Sequence, residues 1–245
     1  MVITSPDNAR IVELTKLSQK KYRRLARRYV IEGARLVSDA IRHGAKVASV
    51  YVSESVADSF NFEGQTVVAD RVFAKISDTV NSQGVLAVVD MDETELAAPT
   101  GNCLVLDGLQ DPGNVGTLVR TAAACGFTDV YAANSVDLYS PKVLRAAMSA
   151  HFCVRLHELD GIEQAFSLLS GTEIVCADMG GSNVFEAEFS GKTALVVGNE
   201  GNGLSDYAKA HATRTVALPM ANGFESLNVA VAGSVIMYQI YSRKQ

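Results

Sequence analysis

What this chain lacks narrows its class first. No uninterrupted apolar run approaches the ~18 residues needed to cross a bilayer. The polar start, Met1 to Arg10, shows no charged-then-apolar signal sequence and no transit pattern. A soluble protein that stays in the cytoplasm is the expectation. Cysteine is scarce: Cys103, Cys125, Cys153 and Cys176 are spaced by 22, 28 and 23 residues, with no CxxC and no Cys/His cluster. His43, His151, His157 and His211 are equally scattered, without an HExxH, so no metal site is expected. Each cysteine lies in an apolar run, which predicts buried, reduced thiols rather than the staples of a small secreted scaffold. The 5 prolines and 19 glycines show no collagen-like or linker bias, and no internal repeat is present.

What is present is core material. Of the 245 residues 48% are hydrophobic and 20% charged, with a mean hydropathy of +0.12, which excludes a disordered or fibrous class. That length suits one large domain or two of ordinary size. The net charge of −5 speaks against nucleic acid, but its distribution does not: residues 1–50 carry +7 and the remainder −12. The positive excess is concentrated in Lys16 to Arg28, where Lys20, Lys21, Arg23, Arg24, Arg27 and Arg28 are the candidate RNA-binding residues. Such a cluster attracts a polyanion over long range. A merely solvated helix face is the plainer alternative.

The first ninety residues alternate helical and strand-like patterns. Ser5-Pro6-Asp7 signals a helix start, and Ile11, Leu14, Leu17, Tyr22 and Leu25 form an apolar stripe at helical spacing. Tyr29–Ile31 reads as a strand, Gly33–His43 as a helix ended by Gly44, and Val47–Val52, Thr66–Ala69 and Gly84–Asp90 as further strands. Residues 91–101, acidic and then small with Pro-Thr-Gly, form the best candidate linker, placing domains at 1–92 and 101–245. Beyond it, Cys103–Leu106 is a fully apolar strand, and Val130–Ala132, Glu173–Ala177 and Thr193–Val197 are similar, near-continuously apolar strands. Strands like these, separated by helices, predict an α/β fold with a parallel sheet covered on both faces. A last helix, Ser226 to about Ser242, is apolar over much of its girth and suits a core or a subunit contact.

Three loops of the second unit can carry chemistry. In the first, Asp107 to Ala122, Asp111-Pro112-Gly113 is a turn, Asn114 a natural N-cap, and Gly126 can end the helix. Arg120 is the only charge between Asp111 and Asp129 on a helix that reads as mostly buried, so its guanidinium needs an anionic partner. The alternative is a narrow exposed face shared with Thr117 and Thr121. The second loop, Gly198 to Ser205, follows a strand directly, and its three glycines let backbone N–H groups approach a ligand. It has no GK[ST] and misses the GxGxxG spacing, so it is equally compatible with an ordinary turn. In the third, Leu218 to Ala230, Ser226 can cap the last helix and Asn228 lies in its first turn.

These three segments, in this order, resemble the SpoU family of S-adenosylmethionine-dependent RNA 2′-O-ribose methyltransferases, within the SPOUT superfamily. The matching residues are Asn114-x-Gly116-xxx-Arg120-Thr121-Ala122, then Gly198-x-Glu200-xx-Gly203-Leu204-Ser205, then Leu218-Pro219-Met220 with Ser226-Leu227-Asn228-Val229-Ala230. Residues 5–90, with Gly33–Val37 and Gln83–Ala87, look like the substrate-binding domain common in that family. Ser140 to Ala150 follows the family pattern except at Ala147 and Ser149, where many relatives have Ser and Gly.

The resemblance implies a C-terminal parallel-sheet domain closed by a trefoil knot, which general topology rules would not suggest. It implies S-adenosylmethionine as methyl donor, held by Gly198, Leu218 and Leu227 and, beside them, Gly203 and Met220. It places Arg120, Asn114, Ser226, Asn228 and Glu200 at the catalytic centre, and it implies a homodimer through the knotted domain. The RNA is ribosomal in the first reading. A transfer RNA enzyme, or a non-catalytic RNA-binding or ribosome-assembly factor on the same fold, stands as the alternative. A dinucleotide-binding oxidoreductase would need GxGxxG after its first strand and an acidic residue about 20 further on, and neither is in place.

Overall fold

The computed structural model describes residues 2–92, 95–189 and 191–243. It divides into two compact units, Met1–Glu93 with Tyr139–Arg145, and Thr94–Leu138 with Ala146–Gln245.

The first unit runs β1 (Val2–Ile3), α1 (Ala9–Lys16), α2 (Lys20–Ala26), β2 (Arg28–Glu32), α3 (Ala34–Arg42), β3 (Val47–Ser53), β4 (Thr66–Val68), α4 (Asp70–Ile76) and β5 (Val85–Asp90). Its sheet, ordered β1-β4-β3-β5-β2, is mixed: β4 is parallel to β1 and β3, whereas β5 is antiparallel to β2 and β3. Ile11, Leu14 and Leu17 pack with Tyr51, Val72, Phe73 and Leu86 in its core. The apolar stripe expected to run on to Leu25 stops at Leu17, because the chain breaks there into two helices. Leu25 is 78% exposed. Arg23 fills the break, donating through Nη1 to the carbonyls of Leu17 at 2.8 Å and Ser18 at 2.6 Å, and so satisfies the end of α1. Tyr139–Arg145 packs with this unit although it follows a strand of the other. The Tyr139 ring lies 4.9 Å from that of Tyr29, and Arg145 pairs with Asp78.

The second unit contains β6 (Cys103–Asp107), α5 (Pro112–Ala124), β7 (Asp129–Ala133), α6 (Pro141–Ala147, begun in the first unit), β8 (Arg155–Leu159), α7 (Ile162–Ser167), β9 (Glu173–Asn183), β10 (Thr193–Gly198), α8 (Asp206–His211), β11 (Arg214–Ala217) and α9 (Val229–Ser242). Its six strands are all parallel in the order β11-β9-β10-β6-β7-β8. Every residue of β6, β7 and β10 is buried, which is why these strands read as continuous apolar runs. The sequence pattern did not single out β8, whose Arg155 and His157 break the apolar run. Both hold Asp129, which is wholly buried and also takes the Thr128 hydroxyl. Burial pushes the Asp129 carboxyl up, but these three donors outweigh it and leave the pKa lowered.

The segment read as a linker is tied to this unit at its far end. Tyr131 Oη donates to the Ala97 carbonyl at 2.7 Å, Lys192 Nζ to that of Pro99 at 3.3 Å, and the Gly101 N–H to Thr128 Oγ1 at 3.0 Å. Cys103, Cys125 and Cys176 are buried, and desolvation pushes their thiols up, Cys125 to about 11. Cys153 departs from the expectation: it is exposed, just after the 3-10 turn Met148–Phe152. Ala147, one of the two departures from the family pattern, is fully buried at the end of α6.

Candidate functional site

The three loops leave the carboxyl ends of β6, β10 and β11, in a sheet whose strand order reverses between β6 and β10. Ligands of open parallel sheets collect at such a reversal, outside the strand ends. The helix after β6 begins earlier than its sequence suggested. Asp111 is the N-cap, accepting the Asn114 N–H on Oδ1 at 2.8 Å, and Pro112 takes the first helical position, where its missing N–H costs nothing. Asn114 is therefore one turn inside α5, and its side chain is released from capping.

That side chain joins the loops. Asn114 Nδ2 donates to Glu200 Oε1 at 3.2 Å, and Asn114 Oδ1 accepts from Asn228 Nδ2 at 3.0 Å. Asn228 Oδ1 in turn accepts the N–H groups of Ala230 at 2.9 Å and Val231 at 3.2 Å, so Asn228, and not Ser226, is the N-cap of α9. The sense of the chain is forced, because a carboxylate only accepts and a helix start only donates. Glu200 also takes the N–H of Asp111 at 3.0 Å and of Gln110 at 3.2 Å. Partial burial raises the Glu200 carboxyl, but its own backbone N–H together with those of Asp111 and Gln110 and the Asn114 amide bring it below its ordinary value. It stays an anion at neutral pH.

Arg120 lies on α5 six residues beyond Asn114. Its face is the exposed one, shared with Thr117, and no protein group among the described residues pairs with it. The internal anionic partner expected from a buried helix is absent because Arg120 lies off the buried side of α5, which is made by Val115, Gly116, Leu118, Val119 and Ala122. Leu118 instead faces α9, where a Cβ on Gly233 would meet Leu118 Cδ2 at 2.5 Å, and Thr121 Oγ1 lies 2.9 Å from Ser234 Oγ. A cation held out to solvent is free to take an external anion.

The second loop is a closed hairpin. Asn199 N–H bonds the Gly203 carbonyl and Gly203 N–H that of Asn199, both at 2.9 Å, while Asn199 Oδ1 accepts from Gly201 at 2.9 Å and Asn202 at 3.0 Å. These N–H groups are turned inward and do not form the open cradle that three glycines suggested. Gly198 is required on other grounds: a Cβ there would collide with the Gly203 carbonyl carbon and the Leu204 nitrogen. Gly203 has φ +68°, in the left-handed region.

The third loop is exposed almost throughout. Leu218 is half-buried, Met220, Phe224 and Leu227 present apolar surface, with Leu227 45% exposed, and Ser226 has no hydrogen-bond partner among the described residues. This surface and the tight backbone at Gly198 suit an adenosyl group, which needs apolar contact and close main chain rather than a phosphate cradle. The sequence reading missed Asp107, Asn199 and Gln110. The signal was adjacency alone, since Asp107 and Asn199 each sit beside a glycine at a strand end and Gln110 lies in the same first loop.

The basic cluster divides by role. Lys21, Arg24 and Arg27 are exposed and Lys20 is half-buried. Arg23, 4% exposed, does not face solvent, and Arg28 is engaged with Asp90 at 2.7 Å and Glu13 at 3.5 Å.

Comparison with known proteins adds the family. The profile of the SpoU rRNA Methylase family matches residues 101–238, and that of the MRM3-like substrate binding domain matches residues 8–87. An uncharacterised tRNA/rRNA methyltransferase of Synechocystis sp. is 33% identical over 97% of this chain and 92% of its own. The 23S rRNA (guanosine(2553)-2′-O)-methyltransferase of Bacillus subtilis is 29% identical over 97% and 98%. The AdoMet-bound rRNA methyltransferase of Sinorhizobium meliloti, 24% identical, superimposes with a TM-score of 0.88 over 100% of this chain and 98% of that one, a likeness of fold.

Proposed function

Because this chain belongs to the SpoU rRNA methylase family, we propose that it transfers a methyl group from S-adenosylmethionine to a ribose 2′-hydroxyl of ribosomal RNA. The observation that carries the proposal is the Glu200–Asn114–Asn228 chain, which fastens three separate loops together and leaves Arg120 outside it, uncommitted. S-adenosylmethionine supplies the activated methyl group. The task left to the protein is to align two reacting atoms and to assist departure of the hydroxyl proton.

A guanidinium keeps its proton above pH ~12, so Arg120 is not a strict base. Its role is to grip the phosphate next to the target ribose, as a planar bidentate donor. Asn114, Asn228 and Ser226 then fix the ribose by hydrogen bonds, and Glu200 holds Asn114 in place. Gly198, Gly203, Leu218, Met220 and Leu227 line the donor pocket. Residues 1–92 supply RNA affinity through Lys20, Lys21, Arg24 and Arg27, and residues 101–245 carry the chemistry. The return of the chain from β11 to α9 is read as the trefoil knot of the family. Val231, Tyr238 and Tyr241, exposed apolar side chains on α9, are read as the homodimer contact. No helix of the described residues is long and apolar enough to cross a membrane, and cytoplasmic action on ribosomal RNA fits this reading.

The test is methyl transfer from radiolabelled S-adenosylmethionine to purified ribosomal and transfer RNA, with the label located by alkaline hydrolysis. Alkali-resistant 2′-O-methyl dinucleotides from ribosomal RNA are expected. Label on a base, or on transfer RNA alone, would overturn the assignment.

A further inference from the structure

Strands β6 and β10 are paired over five residues, and their ladder ends at Gly198 opposite Asp107. Hydrogen bonding between the two segments nevertheless continues past that point. Buried Asp107 accepts the Ser205 N–H on Oδ2 at 2.7 Å, and Asn199 Nδ2 donates to the Gly108 carbonyl at 2.7 Å. The sheet is already held by its own ladder. What these two bonds decide is the path of residues 199–205, clamped at both ends against the first loop. We propose that Asn199 and Asp107 are positioning residues for the methyl-donor loop. The inference rests on the reading of that loop as the donor pocket.

The chemistry at each position is selective. Residue 199 must donate to a carbonyl while its oxygen accepts the N–H groups of Gly201 and Asn202, which needs an amide at asparagine length. Aspartate is nearly the same shape and keeps the two inward bonds, but it sets a carboxylate oxygen against the Gly108 carbonyl. Asn199→Asp therefore breaks the tie at the Gly108 carbonyl, leaves those made by Glu200 and Asp107, and spares the hairpin. Residue 107 needs only an acceptor for the Ser205 N–H, so Asp107→Asn retains its function and Asp107→Ala does not. A misplaced loop loses its hold on the donor, whereas RNA binding by the basic cluster is untouched.

The experiment measures dissociation constants for S-adenosylmethionine by calorimetry and for ribosomal RNA by filter binding, with a thermal melt, on the full chain. The proteins are wild type, Asn199→Asp, Asp107→Ala and Asp107→Asn. Asn199→Asp and Asp107→Ala should each weaken donor binding by roughly tenfold or more, the scale of one lost buried hydrogen bond. RNA affinity should be unchanged, and Asp107→Asn should recover most of what Asp107→Ala loses. A folded Asn199→Asp protein with wild-type donor affinity overturns the inference. So does an Asp107→Asn as damaging as the alanine, or a loss of donor and RNA affinity in step with the melting temperature. If Asp107→Ala does not fold, Asn199→Asp and Asp107→Asn decide. A wild-type protein that binds no S-adenosylmethionine refutes the donor-pocket reading instead, and the two failures are distinguishable.

Discussion

Removing the Arg120 side chain separates its two candidate roles, because the structure gives opposite expectations for stability and for rate. Arg120 sits on the exposed face of α5 and pairs with no protein group among the described residues, so Arg120→Ala strands no partner. Alanine is also the better helix former by a few tenths of a kcal/mol. The stability change should lie within about 0.5 kcal/mol, as for most surface substitutions. For a domain of this size that is a melting shift of roughly 1–2 °C. The rate is another matter. A charge-assisted contact made to the reacting strand in the transition state is worth about 2.7–4 kcal/mol when deleted, or roughly a hundred- to a thousandfold in turnover.

Arg120→Lys should recover little of that, since a point charge lacks the planar fork. The assay is single-turnover methyl transfer to saturating ribosomal RNA, with donor affinity and a thermal melt measured on the same preparations. An Arg120→Ala protein that melts normally and methylates at near the wild-type rate refutes the reasoning. A protein that loses stability in proportion to activity, with both restored by Arg120→Met, would show that the side chain packs and does not react.

Two further expectations concern charge. Changing Lys20, Lys21 and Arg24 together to Ala should weaken RNA binding and reduce its salt dependence by roughly 0.7–0.9 in log–log slope for each phosphate no longer neutralised, with donor affinity intact. Arg23→Ala should instead lower the melting temperature, because it leaves the carbonyls of Leu17 and Ser18 without their donor. A salt slope that changes with Arg23 alone would reverse this division. Glu200 has a lowered carboxyl pKa in the fold, so its hold on Asn114 is complete above the ordinary glutamate value of 4.5 and is lost as pH falls through the lower folded value. Glu200→Gln should therefore cut turnover at neutral pH and abolish that acid limb in donor binding. Superimposable acid limbs in the two proteins would show that Glu200 does not carry it.

Much of this molecule is determined by the sequence alone. Strands buried on both faces have to be continuously apolar, so β6, β7 and β10 announce themselves and with them the parallel sheet. Glycines also speak locally, since Gly126 and Gly203 sit at positive φ where other residues are strained. The charge asymmetry between the first fifty residues and the rest is a property of composition and needs no fold.

Only the tertiary structure could decide the rest, because it turns on which partner a side chain meets. A strand such as β8, carrying Arg155 and His157 to a buried Asp129, has no apolar signature until the carboxylate is seen beside it. Arg23 and Arg24 are indistinguishable in a basic run, yet one ends a helix beneath the surface and the other stands on it. Asn114 and Ser226 each look like a cap from their neighbours, while Asp111 and Asn228 do the capping, which frees Asn114 to bridge to residues 86 and 114 positions away. Local pattern is set by backbone geometry within a few residues. The site is set by hydrogen bonds across three loops, and their geometry exists only once the strands are side by side.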